Sequence, residues 1–95
     1  MYIVFLKFST NKQRAGEYMQ GHMQWIQRGL DDQVFLMVGS LKPDLGGGIL
    51  AHQCQLHELE QRIAADPFVE HGIVSAEIIE FAPAKADSRL SFLLD

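Results

Sequence analysis

Few side chains in this sequence have chemistry beyond packing, and the most informative is an imidazole. On a helix of 3.6 residues per turn, Ala15, Met19, His22, Ile26 and Gly29 share one face, flanked by Tyr18, Met23 and Leu30. His22 therefore lies within the apolar stripe, not on the wetted side. A histidine so placed is either a hydrogen-bonded core residue or an acid–base group aimed at the interior. The second group is a carboxylate, Asp66, directly before Pro67. Asp followed by Pro is good N-cap and first-position chemistry for a short helix. A carboxylate beside an imidazole also orients the ring, selects its tautomer and stabilises its protonated form. Ser40 adds a hydroxyl at the end of an apolar run.

Other reactive types are less well arranged. His52-x-Cys54-x-x-His57 puts soft and imidazole ligands close together. His57 falls on the following helix, however, and no fourth ligand has motif spacing, so no metal is expected. A cysteine on a strand reads as a small core hydrophobe. Gly46-Gly47-Gly48 lacks the Lys-Ser/Thr of a phosphate loop and precedes a strand, which reads as a flexible connection or a site of close approach. No organic cofactor is expected either.

The chain has 95 residues, enough for one domain with a modest core. Its net charge is −4, with eight scattered Lys and Arg residues, so nothing resembles a phosphate-tracking patch for nucleic acid. The apolar runs are too short to span a bilayer. With no signal-peptide pattern and a lone cysteine, Cys54, a reducing cytoplasm is the expected setting.

The elements that must position His22 and Asp66 follow from composition and period. Residues 2–8 are rich in β-branched and aromatic side chains, a strand; Ser9-Thr10-Asn11 supply turn and N-cap chemistry for the first helix. Gly16 and Gly21 each weaken that helix by roughly 1 kcal/mol relative to Ala. Their use would be to let something approach closely beside His22. Gly29 is placed to end the helix. Residues 33–38 form a second strand closed by Gly39-Ser40, residues 41–48 a glycine-rich loop, and residues 49–54 a third strand. Leu56, Leu59, Ile63 and Ala64 have helical spacing, giving a second helix over 56–65. Residues 72–81 are the fourth strand, and residues 83–95 a tail ending in apolar side chains.

The order β-α-β-β-α-β predicts an α+β, ferredoxin-like fold: an antiparallel four-stranded sheet with two helices on one face. Both sets of alternating positions in the strands are largely apolar, as in strands buried on both sides. The second sheet face then needs a partner, most economically another copy packed face to face. The apolar tail is placed to reach across to it. Within one copy, the ends of the first and second strands, the glycine-rich stretch and the Asp66 end of the second helix converge on one edge. A cleft between helices and sheet is expected there, near His22, with Ser40, Tyr18 and Gly47 as candidates to contact a substrate.

Taken together, the strand of the Tyr2-Ile-Val-Phe type, His22, Gly39, the glycine-rich turn into Ile49-Leu50-Ala51, and Asp66-Pro67-Phe68-Val69 followed by Gly72-Ile73 resemble the YciI-like (YCII-related) family. The resemblance spans nearly the whole chain and implies the dimeric α+β barrel fold. It also implies that the family's recurring His and Asp are His22 and Asp66, and that a dehydrochlorinase of chloroaromatic breakdown is among the relatives. The chain departs from the pattern at Gly39-Ser40, where many relatives carry Gly-Pro, and at Gly47 and Gly48, where many carry hydroxyl residues. The implied function is a cofactor-independent lyase or isomerase acting on a small anionic or aromatic-derived metabolite. His22 would serve as general acid or base and Asp66 as its orienting partner. The alternatives are a non-catalytic dimeric module that binds a small ligand or a protein, and a cofactorless monooxygenase on the same fold.

Overall fold

A computed structural model describes residues 1–94. Its strands are β1 (Tyr2–Phe8), β2 (Phe35–Leu41), β3 (Gly46–Ala51) and β4 (Val74–Glu80); its α-helices are α1 (Ala15–Asp31), α2 (Leu56–Ala64) and α3 (Pro67–Glu70). The sheet order is β2-β3-β1-β4, with every neighbouring pair antiparallel. This is the expected α+β, ferredoxin-like arrangement. No helix among the described residues is long and apolar enough to cross a membrane.

Alternation along β1 sorts the two faces. Tyr2, Val4 and Leu6 are buried beneath the helices, whereas Ile3 and Phe5 are half-buried on the outer face. Trp25, Leu59, Ile63 and Phe68 close the core from the helical side. The outer face is uncovered and carries an apolar row at one end: Leu50 and Ile79 lie opposite Ile3 in the two flanking ladders, and Met37, 60 % exposed, lies opposite Leu50, while Lys7, Ser75 and Glu77 occupy the other end.

Several boundaries differ from the sequence reading, each for a physical reason. Gly46–Gly48 are strand, not loop: Gly46, Gly47 and Gly48 pair with Lys7, Leu6 and Phe5, so the connection shrinks to residues 42–45. At Gly46 the approach is close, since a Cβ would lie 2.0 Å from the Leu6 carbonyl oxygen. Strict alternation in β2 fails at a bulge between Phe35 and Met37, which puts both Phe35 and Val38 on the helix side, opposite Ala51 and Ile49. Gly29 does not end α1. The helix runs on to Asp31, and a Cβ at Gly29 would lie 2.1 Å from the Phe35 ring, so the glycine lets the strand side chain seat against the helix. The end is instead a Schellman turn: Gln33 takes a positive φ of 62°, its N–H donates to Leu30 O, and the Val34 N–H donates to Gly29 O.

Asn11 does not cap α1 with its side chain. A 3-10 turn over Lys12–Arg14 leads into the helix, and the Asn11 Nδ2 donates to the His71 carbonyl oxygen at 2.9 Å. The turn before β4 is thereby tied to the turn after β1. At the opposite end of the sheet, the tail forms a 3-10 segment, Ser88–Leu93, begun by Asp87, which accepts from the Arg89 N–H. Phe92, 58 % exposed, meets the edge of the His52 ring.

Candidate active site

α3 exists because of Asp66 and Pro67. Pro67 supplies a preset φ at the first helical position, and the Asp66 side chain accepts the Phe68 N–H at 3.0 Å. This fixes the carboxylate in a completely buried position at the end of α2. α1 brings His22 to it across the gap between the helices. Gly21 makes the approach feasible, since a Cβ there would lie 3.2 Å from the Pro67 ring. The close neighbour sought for Gly21 is therefore Pro67, whereas nothing approaches Gly16 within 4 Å.

The result is a direct contact: His22 Nδ1 lies 2.8 Å from Asp66 Oδ1. Oδ1 thus serves both the imidazole and the Phe68 amide. Oδ2 is buried and has no hydrogen-bond partner among the described residues. The His22 ring lies flat on Phe68, with centroids 3.9 Å apart and planes 3° from parallel, and its side chain keeps 13 % exposure. The ring is therefore held on one side by a carboxylate and on one face by an aromatic.

His22 and Phe68 also line a cavity of about 520 Å³ between α1 and the sheet. Met19, Met23, Ile26 and Leu30 of α1 form one wall; Leu6, Val38, Ser40 and Gly47 belong to the sheet side. The only polar side chains among the lining residues are His22, Gln27 and Ser40, and none is a carboxylate, lysine or arginine. Lys12 stands near this end, 4.6 Å from the centre of the Phe8 ring, itself part of the lining. It is already paired with Asp44 at 2.8 Å.

The structure sorts the candidate site residues into three groups. His22, Ser40 and Gly47 line the cavity. Asp66 lies behind His22 and reaches the cavity only through it. Tyr18 is not among the lining residues: its ring stacks on His71 at 4.0 Å, and its hydroxyl accepts from Arg14 Nη2. Phe68 and Gln27 are cavity residues that the sequence reading did not single out. The signal for Phe68 was its place two residues after Asp66, where the capping bond to its own amide brings its ring under the imidazole.

Among the described residues, no three His, Cys, Asp or Glu side chains gather closely enough to hold a metal. Burial, with Glu58 nearby, pushes the Cys54 thiol above its ordinary pKa, which disfavours the thiolate a nucleophile needs.

Comparison with known proteins gives two findings and one blank. A family model described as the YCII-related domain matches residues 1–82. No curated protein matches the chain. Among solved structures, the chain is similar to 5-chloro-2-hydroxyhydroquinone dehydrochlorinase from Burkholderia phenoliruptrix AC1100, in a complex with 2,5-dihydroxybenzoquinone. The TM-score is 0.68 at 13 % identity, over 85 % of this chain and 93 % of that one. A likeness at that identity establishes a shared fold.

Proposed function

The chain belongs to the YCII-related domain family, and from that premise we propose that it is a cofactor-independent small-molecule enzyme in which His22 moves a proton. One observation carries this reading. His22 Nδ1 lies 2.8 Å from Asp66 Oδ1, and a carboxylate has no proton to give, so with Asp66 ionised the tautomer that this contact favours carries its proton on Nδ1. A neutral ring with its proton on Nδ1 has a bare Nε2, an acceptor ready to take a proton from a molecule in the cavity. When Nε2 takes that proton, the imidazolium is stabilised by the Asp66 carboxylate, and the buried position of the pair strengthens the interaction.

The chemistry that fits is proton removal from carbon next to a carbonyl, or from a ring hydroxyl. The electron pair left behind forms a new double bond. In a lyase it expels a leaving group from the neighbouring atom; in an isomerase His22 returns the proton to a different carbon. Ser40 lines the sheet side of the cavity, which supports a role for its hydroxyl as donor to a substrate oxygen as charge builds there. Asp66 is a positioning residue, since it touches His22 and not the cavity. The dehydrochlorinase of similar fold supports a ring-bearing metabolite as the substrate class.

A second copy packed on the outer sheet face belongs to this proposal. Ile3, Met37, Leu50 and Ile79 form an apolar row across all four strands, on a face that the helices leave uncovered. Sedimentation at micromolar concentration should give a species of about twice 10.7 kDa. A monomer would remove the dimer while leaving the site intact. For the site itself, His22→Gln should keep the melting temperature within a few degrees. Turnover of a substrate found by screening should fall by about 10²- to 10⁴-fold. If His22 is instead a satisfied core residue, the same variant loses stability and keeps activity in proportion to folded protein.

A further inference from the structure

The cavity also carries information about what enters it, and here the reading rests on His22 being the reactive group. Three successive glycines cross its floor on β3, and they do different things. Gly46 and Gly48 belong to the outer-face register, opposite Lys7 and Phe5. A Cβ on Gly46 would collide with the β1 backbone, and one on Gly48 would touch Leu41. Gly47 alone belongs to the cavity register, opposite Leu6 and Ser40, both of which line the cavity. A Cβ at Gly47 would meet nothing closer than the Gly39 carbonyl oxygen, at 3.4 Å. Its φ is not among the positive ones, so a side chain is conformationally allowed there. Neither backbone geometry nor packing excludes a side chain at this position, and its absence leaves depth in the cavity.

Two quantities set the ligand. The volume of this cleft, which is open to solvent on one side, is about 520 Å³, more than three times the roughly 150 Å³ that accommodates benzene in a closed apolar cavity. It also lies within the range of about 300–1,000 Å³ for pockets that enclose larger organic molecules. The lining has no lysine or arginine, and the nearby Lys12 ammonium is paired with Asp44. A carboxylate or phosphate against this apolar lining would lose part of its hydration with no lysine or arginine to replace it, while positive charge on His22 is already balanced by Asp66; the transfer is unfavourable. An uncharged molecule has no such penalty, and one or two hydroxyl or carbonyl oxygens would suffice for His22 and Ser40.

We propose that the cavity selects an uncharged substrate larger than a single ring, and that Gly47 is the residue that sets this size limit. The scale matches two fused rings or one ring with a bulky substituent, lying on the bare backbone at Gly47 with an oxygen or acidic carbon at His22 Nε2. Gly47→Ala and Gly47→Val shorten the available depth in steps. Valine is the stronger test, because a β-branched residue suits a strand while filling the space.

The experiment measures binding of phenol, 2-naphthol and 2-naphthoate to wild type, Gly47→Ala and Gly47→Val by chemical-shift perturbation, with melting curves to confirm folding. In wild type, 2-naphthol should bind at least about tenfold more tightly than either phenol or 2-naphthoate. Gly47→Val should weaken 2-naphthol about tenfold while changing phenol less than about threefold, with Gly47→Ala in between. The proposal is overturned if 2-naphthoate binds as well as 2-naphthol, if phenol binds as well as 2-naphthol, or if 2-naphthol fails to bind wild type. Equal weakening of both phenols by the substitutions also overturns it; should Gly47→Val not fold, Gly47→Ala decides alone. The reaction reading is separated by His22→Gln: retained 2-naphthol binding in a variant with undiminished turnover would remove the general base and leave the ligand class standing.

Discussion

One turn of α1 separates two inward-facing residues with different surroundings. Trp25 is in the filled half of the molecule. It is 2 % exposed, its ring meets Phe35 edge-on, and its Nε1–H donates to the Arg62 carbonyl oxygen at 2.9 Å. Every polar atom of that side chain has a partner and the surrounding space is occupied. His22 is in the hollow half. One ring nitrogen is bonded, and the ring borders a cavity. The sheet repeats the division within a single strand: Ile49 and Ala51 of β3 are buried in the core, while Gly47 supplies no side chain. The same helix and the same strand thus stabilise the fold at one end and leave room at the other. A satisfied polar atom in a closed core marks a structural residue. A half-satisfied one beside open space marks a candidate for chemistry.

Substitutions on the two sides should separate accordingly. The largest loss of stability belongs to the filled half. Trp25→Ala should cost about 3–5 kcal/mol in chemical denaturation, because it removes a large buried ring and one of the two hydrogen bonds to the Arg62 carbonyl. A loss under about 1 kcal/mol would show that this half is not the better packed one. Next comes Gly29→Ala, which forces the Phe35 ring away from α1 and should cost about 1–3 kcal/mol. A stabilising effect, as expected from helix propensity alone, would contradict the close seating described for Phe35. Smallest in stability is Asp66→Asn. The amide oxygen can still accept the Phe68 N–H, so the melt should shift by no more than about 1 kcal/mol. If His22 moves a proton, turnover should nonetheless fall by about 10-fold or more, because an amide neither fixes the ring's tautomer nor balances its protonated form. A large stability loss with unchanged turnover would move Asp66 into the filled half.

What could be read from the sequence was local, and what could not depended on pairing. The apolar stripe of α1, the span of α2, and the Asp66-Pro67 cap follow from spacing and capping chemistry confined to a few neighbours, whereas the Asn11 side chain expected as a cap bonds the His71 carbonyl instead. The inward placement of His22 is local in the same way. The strand status of Gly46–Gly48 is not: glycine is a poor strand former, and only the ladders to β1 and β2 recruit these residues. The bulge in β2 is invisible for the same reason, because alternation in one strand cannot show that its partner is one residue shorter. Gly29 carried a helix-stop signal that tertiary contact with Phe35 overrode. Tyr18 shares the helical neighbourhood of His22, but the stacking partner that turns its ring toward His71 comes from the turn before β4. Topology placed His22 and Asp66 at one edge of the domain. Their contact additionally required a close approach of α1 to α3, which Gly21 permits.

Asp66 Oδ1 couples two events that are usually separable. The same oxygen holds the Phe68 amide and the His22 imidazole, so the first turn of α3 and the readiness of His22 share one thermodynamic fate. Whenever α3 frays, the carboxylate loses its fixed position and the imidazole loses its partner. The exchange rate of the Phe68 amide proton with solvent is therefore a clock for assembly of the site. A molecule that draws positive charge onto the His22 ring tightens its hold on Oδ1, and α3 becomes harder to open. Occupancy at the cavity is thus written into the protection of an amide that no ligand touches.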